Sequence, residues 1–219
     1  MPIQAVIFDM DGVLVDSEPV ITKAARLALT EFGVPAQDAD FHPFTGMGED
    51  RFIGGVAEKY GVPYRLDMKR RTYAIYLDIV AAEIGTYPGI PELLATLRAD
   101  GMRTAVASSA DAVKVNANLP AAGIDDNLFD VIVCGEDVVH KKPAPDIFLL
   151  AARRLDVDPA DCLVVEDAIS GIRAAKAAGM ACVAVTSSFG TERLIEAGAD
   201  GTIAQTCELA EWLARREAR

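Results

Sequence analysis

Two carboxylates, Asp9 and Asp11, stand two residues apart directly after the apolar run Ala5-Val6-Ile7-Phe8, and Gly12 follows them. The run is short, β-branched and aromatic, so it reads as a buried strand. Side chains alternate direction along an extended chain, which would aim both acids into one crevice. Gly12 lets the backbone turn sharply there. The crevice beyond the strand ends is where open α/β sheets bind ligands. Two unshielded carboxylates in that position repel each other unless a cation or a shared proton intervenes. The chemistry this suggests is a divalent metal with a carboxylate used as nucleophile. Alone, Asp-x-Asp-Gly is equally the sequence of a turn at a strand end. The remaining polar groups decide.

Three later places carry polar residues that a buried strand end would not need. Ser108 and Ser109 follow the apolar Thr104–Ala107, with Asp111 placed to cap the next helix. A hydroxyl and the free amides of a helix start make an anion site, although Ser-Ser-Ala-Asp is also an ordinary capping sequence. In Lys141-Lys142-Pro143-Ala144-Pro145-Asp146 two prolines shape a loop before a helix. Lys142 would neutralise a phosphate or the carboxylates, while Lys141 reads as a solvated lysine. Glu166-Asp167 follow Leu163-Val164-Val165 without a break. Acids in that position are costly unless they meet water or a cation. Together with Asp9 and Asp11 they would form an oxygen-rich site suited to Mg²⁺.

The elements that must position these groups alternate. From Pro91 onward, helices are expected at Leu93–Asp100, Ala112–Leu119, Asp146–Leu155, Ile169–Ala178 and Glu192–Ala197, with a closing helix at Thr206–Arg215. Strands are expected at Thr104–Ala107, Val131–Cys134, Cys162–Val165 and Ala181–Val185, with an edge strand at Gly201–Ala204. Buried apolar strands alternating with amphipathic helices imply a parallel sheet covered on both faces. Between the first strand and this region the spacing is helical: Ile21 to Phe32, Glu49 to Tyr60 and Tyr64 to Ile84, with a loop at Thr45-Gly46-Met47-Gly48. The fold class is therefore α/β, a Rossmann-like core of residues 1–15 and 88–219 with a helical insertion, 16–87. Two connectors, Leu14 to Glu18 and Gly85 to Gly89, make a hinge, and closure over the crevice follows from it.

Composition bounds the rest. Hydrophobic residues make up 51% and charged ones 25%, the profile of a soluble globular protein. Acids outnumber bases 33 to 21, and a net charge of −12 repels nucleic acid and anionic membranes. An anionic substrate would need local cations. Cys134, Cys162, Cys182 and Cys207 form no Cys-x-x-Cys and, with only His42 and His140 in the chain, imply core thiols in a reducing compartment rather than a zinc site. No signal peptide or membrane span is read, so the expectation is a cytoplasmic monomer.

The order of these motifs resembles the haloacid dehalogenase (HAD) superfamily over essentially the whole chain. Phe8-Asp9-Met10-Asp11-Gly12-Val13 through Glu18 looks like the opening of its β-phosphoglucomutase-like phosphatases. Ala107-Ser108-Ser109, Lys142-Pro143-Ala144-Pro145-Asp146 and Val165-Glu166-Asp167-Ala168 match the other three motifs. More narrowly, Phe44 through Ala57 and Ala105 to Leu119 are similar to the HAD-like domain of plant thylakoid photoprotection proteins. The resemblance implies that Asp9 attacks phosphorus to form an aspartyl-phosphate and that Asp11 acts as acid and then base. It implies Mg²⁺ held by the Asp9 carboxylate, the Asp11 carbonyl and Asp167, with Glu166 ligating directly or through water. Ser108, Ser109 and Lys142 would hold the phosphoryl group, and the inserted helices would be a cap with selectivity residues at Gly46, Glu49 and Arg51.

The departures matter too. Dehalogenases of the superfamily lack the second aspartate by this resemblance, so Asp11 argues for phosphoryl transfer. The mutases carry a histidine where this chain has Ile21, and a cap arginine where it has Met47-Gly48-Glu49-Asp50-Arg51. Both differences favour a phosphatase of a small phosphorylated metabolite, such as a sugar phosphate, over a phosphosugar mutase. A non-catalytic binding module is the rival of another class; the intact Asp9, Asp11, Lys142 and Asp167 argue against it. Tyr73 and Tyr76, at helical spacing, are read as cap packing rather than substrate contacts.

Overall fold

The computed structural model describes residues 3–217. Its centre is β1, Ala5–Phe8, every residue of which is buried. Parallel partners flank it: β4 (Arg103–Ala107) on one side and β6 (Cys162–Glu166) on the other. With β5 (Val131–Val133), β7 (Ala181–Val185) and β8 (Gly201–Ile203) the sheet runs β5-β4-β1-β6-β7-β8. The central strands are apolar almost throughout because both of their faces are covered.

The pleat divides the core. Val6, Phe8, Val106, Leu163 and Val165 face α4 (Ile90–Ala99), α5 (Ala112–Ala121) and α9 (Leu209–Glu217). Ala5, Ile7, Ala105 and Val164 face α6 (Asp146–Leu155), α7 (Ile169–Ala177) and α8 (Thr191–Glu196). Fully burying a side chain such as Phe8 or Ile7 contributes about 1.5–3 kcal/mol.

A third apolar cluster belongs to the inserted helices α1 (Glu18–Glu31), α2 (Glu49–Lys59) and α3 (Leu66–Glu83). It is centred on residues such as Leu29, Phe41, Ile53 and Tyr76. Tyr76 is fully buried and donates a 2.5 Å hydrogen bond to Asn118 Oδ1 of α5, and Tyr73 is buried beside it, so both tyrosines pack rather than reach a ligand. Among the described residues no helix is long and apolar enough to cross a membrane.

The connectors differ from expectation. Val15–Asp16 (β2) and Gly85–Thr86 (β3) pair antiparallel, Val15 against Thr86 and Asp16 against Gly85, so the two crossings into the insertion form one ribbon. Two-residue strands are too short to show a period-two pattern. The stretch between α1 and α2 holds only single 3₁₀ turns, Asp38–Asp40 and His42–Phe44, and the closing helix begins with another, Thr206–Glu208.

Candidate active site

Register brings the separated motifs together. Phe8 lies opposite Val106 on one side and Val165 on the other, so the residues that follow the three strands emerge at one level. The Asp9 amide donates to the Val165 carbonyl at 2.9 Å, and the Ser108 amide to the Val133 carbonyl at 3.0 Å. A cavity of about 480 Å³ opens there between sheet and insertion. Asp9, Asp11, Ser108, Ser109, Lys142, Glu166 and Asp167 line it together. The volume suits a small molecule, for which roughly 300–1,000 Å³ is typical.

Lys142 organises one wall. Its Nζ donates to Asp9 Oδ1 at 2.5 Å, to Glu166 Oε1 at 2.7 Å and to the Ala107 carbonyl at 3.1 Å, and sits 4.8 Å above the Phe148 ring. Burial disfavours its charge, but Asp9 and Glu166 outweigh that and hold its pKa above the usual lysine value. Glu166 is fully engaged: Oε2 accepts from the amides of Asp167 (2.8 Å) and Ala168 (2.7 Å). Gly171 makes this possible, because a Cβ there would stand 1.6 Å from Glu166 Oε1. Glu166 and Asp9 thus share the Lys142 ammonium.

Asp9 and Asp167 are under-compensated. Burial, working with Glu166 and Asp11 against the pull of Lys142, pushes Asp9 up to about 7. Asp167 is raised well above the carboxylate range by burial and by Glu166 and Asp9. Its Oδ2 accepts from the hydroxyls of Ser188 and Ser187, the latter at 3.4 Å. Gly12, at φ +80°, keeps the turn tight against it: a Cβ would lie 2.1 Å from Asp167 Oδ2. Among the described residues no three His, Cys, Asp or Glu side chains converge as a ready-made metal cage. Any metal here would draw on the Asp9 and Asp167 carboxylates together with main-chain oxygen. Hard oxygen donors carrying excess negative charge are the set Mg²⁺ takes.

Asp11 is held from the other side. It accepts from the Ser17 hydroxyl, from Lys114 Nζ at 2.8 Å and, more weakly, from the Asn118 amide at 3.4 Å. Ser17 precedes α1 but caps it with no side-chain bond, its hydroxyl being spent on Asp11 instead. Asp111 likewise does not cap α5; it pairs with Lys69 of α3 at 2.5 Å, and Lys69 also reaches Asp50 at 3.0 Å, which ties insertion to core. Ser108 Oγ accepts from the Ala110 amide at 3.1 Å and keeps its proton to donate. Ser109 Oγ is buried without a partner, a free donor at the cavity wall.

Sequence reasoning missed Lys114, Asn118, Ser187 and Ser188. Lys114 is 4% exposed and also lies 3.7 Å from Glu49, yet on a helix it looks like any surface lysine. Of the expected selectivity residues, Gly46 and Glu49 line the cavity. Arg51 does not: it pairs with Glu58 at 3.0 Å and stacks 5.0 Å above Phe44, half-exposed.

Residues 3–179 match the family model for haloacid dehalogenase-like hydrolases. The chain belongs to that family. The phosphorylated carbohydrates phosphatase of Thermotoga maritima is 33% identical over 208 residues, 90% of this chain and 92% of that protein. The structure of CbbY from Rhodobacter sphaeroides in complex with phosphate superposes with a TM-score of 0.83 at 30% identity, covering 94% of this chain and 96% of that one. SUPPRESSOR OF QUENCHING 1, chloroplastic, from Arabidopsis thaliana is 46% identical over 201 residues; they are 90% of this chain but only 19% of that protein. This HAD-like hydrolase thus has relatives named as phosphatases over as much as 90% of its length, and phosphoric monoester hydrolysis is its class of reaction.

Proposed function

We propose that this HAD-like hydrolase is a Mg²⁺-dependent phosphatase of a small phosphorylated metabolite, a sugar phosphate foremost, working as a monomer through an aspartyl-phosphate on Asp9. The observation that carries this reading is the Lys142 contact, which holds the Asp9 carboxylate beside free serine donors in a cavity of metabolite size. The cap is residues 16–87 and the core residues 1–15 and 88–219. Unbridged cysteines, three of them buried, fit a reducing, cytoplasmic setting.

Asp9 would attack phosphorus while Asp11, fixed by Ser17 and Lys114, gives its proton to the departing ester oxygen. Asp11 would then take a proton from the water that attacks the aspartyl-phosphate, releasing inorganic phosphate and restoring Asp9. Lys142 and the Ser108 and Ser109 hydroxyls would bind the oxygens on which charge spreads in the transition state. Mg²⁺, held by the Asp9 and Asp167 carboxylates and the Asp11 carbonyl, would supply the positive charge that lets an anionic nucleophile meet an anionic phosphate. Glu166 would act by orienting Lys142.

The test is phosphate release from a panel of sugar and polyol phosphates with Mg²⁺, with EDTA and with Asp9→Asn. Release that needs the metal and disappears with the substitution is expected. No release from any compound would refute the reading.

A further inference from the structure

The two ends of the cavity carry opposite chemistry. The core end holds the donors: Lys142, Ser108 and Ser109. The cap end presents acceptors. Glu49, at the first turn of α2, lines the cavity and is 5% exposed; its Oε2 has no hydrogen-bond partner, and the buried Tyr73 hydroxyl, also without one, is the protein donor on its far side. Glu18, half-buried, also lines the cavity and accepts from the Thr45 hydroxyl at 2.8 Å.

Cations do not balance them. Besides Lys142 and the exposed His42, the basic side chain at the wall is Lys114, already 2.8 Å from Asp11 and 3.7 Å from Glu49. No arginine lines the cavity among the described residues, and Arg51 is turned away onto Phe44 and Glu58. A second anionic group on the substrate would therefore face Glu49 and Glu18, while Lys141, beside Gly48, is already shared with the Ser109 carbonyl at 3.4 Å and Asp111 at 3.8 Å, so the desolvation cost of that group is poorly repaid. Hydroxyl or ammonium groups would instead meet acceptors along the Glu49 and Glu18 wall, and a site lined by acceptors rejects groups that cannot donate to them.

We propose that the cap end, with Glu49 as its principal selector, admits phosphate monoesters whose remaining part is a neutral or cationic hydrogen-bond donor, and rejects those bearing a second phosphate or a carboxylate. This deepens the phosphatase reading and rests on it for which end holds the transferred phosphate. It also bears on mutase chemistry, because a phosphosugar mutase must accommodate a bisphosphate.

Binding and turnover, measured separately on the full chain with Mg²⁺, test it. Calorimetry on Asp9→Asn protein would compare glucose 6-phosphate and glucosamine 6-phosphate with glucose 1,6-bisphosphate and 3-phosphoglycerate. The two anionic leaving groups are expected to bind at least about tenfold more weakly, which roughly 1.4 kcal/mol of repulsion produces. Adding Glu49→Gln should shrink that ratio, chiefly by tightening the bisphosphate; Glu18→Gln serves as the second variant should the first not fold. A bisphosphate bound as tightly as the monophosphates, a ratio unmoved by both variants, or no binding by any of the four overturns the proposal. An intact binding preference with no phosphate release by the unsubstituted protein would refute the phosphatase reading and leave the selectivity standing.

Discussion

Asp40 in the cap and Asp9 in the cavity are both 8% exposed, yet their carboxyls are driven in opposite directions. Asp40 accepts from Lys59, from the Tyr60 hydroxyl at 2.7 Å and from the Gln37 amide at 2.8 Å. These bonds, Lys59 first, lower it to about 2. Asp9 has one short cationic contact but lies among Glu166, Asp11 and Asp167, and burial lifts it to about 7. The lesson concerns purpose. A structural acid is surrounded by groups that satisfy it in the resting fold, whereas Asp9 and Asp167 are kept in need of charge that a ligand brings.

The largest expected effect separates the two in activity. Asp9→Asn should lower phosphate release by at least about 10⁴-fold, the scale seen when a covalent nucleophile is removed. Its melting temperature without metal should hold or rise, because a buried charge is lost. Asp40→Asn should leave kcat/KM within about twofold. If Asp9→Asn unfolds the metal-free protein, Asp9 is structural and the contrast fails.

Lys142→Ala comes next. It strands Asp9 and Glu166 without their cation, and removing one partner of a buried ion pair costs about 3–5 kcal/mol. Denaturant unfolding should show that loss, eased at acidic pH where the stranded Asp9 is neutral. A loss under about 1 kcal/mol would mean that Lys142 is not the counter-charge of this cluster.

The pH dependence carries opposite signs in the two places. Asp9, ordinarily at 3.8 and raised to about 7, binds more protons folded than unfolded between those values. It therefore makes the metal-free protein less stable as pH rises through that window, by at most about 1.4 kcal/mol per pH unit. Asp40, lowered from 3.8 to about 2, contributes stability above 3.8 that is lost as pH falls through 2. Stability curves in EDTA for the unsubstituted protein and Asp9→Asn should diverge above pH 4, and addition of Mg²⁺ should narrow the gap. Parallel curves would remove Asp9 from the account.

The smallest effect is Asp40→Asn on stability. Its main partner, Lys59, is more than half exposed, so the pair itself is worth little. The Tyr60 and Gln37 bonds leave about 1–2 kcal/mol, a drop of roughly 2–8 °C in Tm. A larger fall would show Asp40 to be the keystone of the cap.

Much of the core was legible in the chain. Short apolar runs bounded by glycine, serine or acid mark strand ends because strands buried on both faces have no other place for polar groups, and Asp9, Ser108 and Glu166-Asp167 all sit at such ends. Lys142 stood out because prolines fix its loop. Local pattern thus determined the sheet, its helices, the insertion and the residues aimed at the cavity. The partners of those residues were decided only by tertiary structure. Lys114 reaches Asp11 across 103 positions, Glu166 accepts from Lys142 and two amides, and Arg51 turns outward while Glu49 turns in. Periodicity reports which face of an element is buried. It does not report which charge lies across the gap, because that depends on how cap and core approach each other.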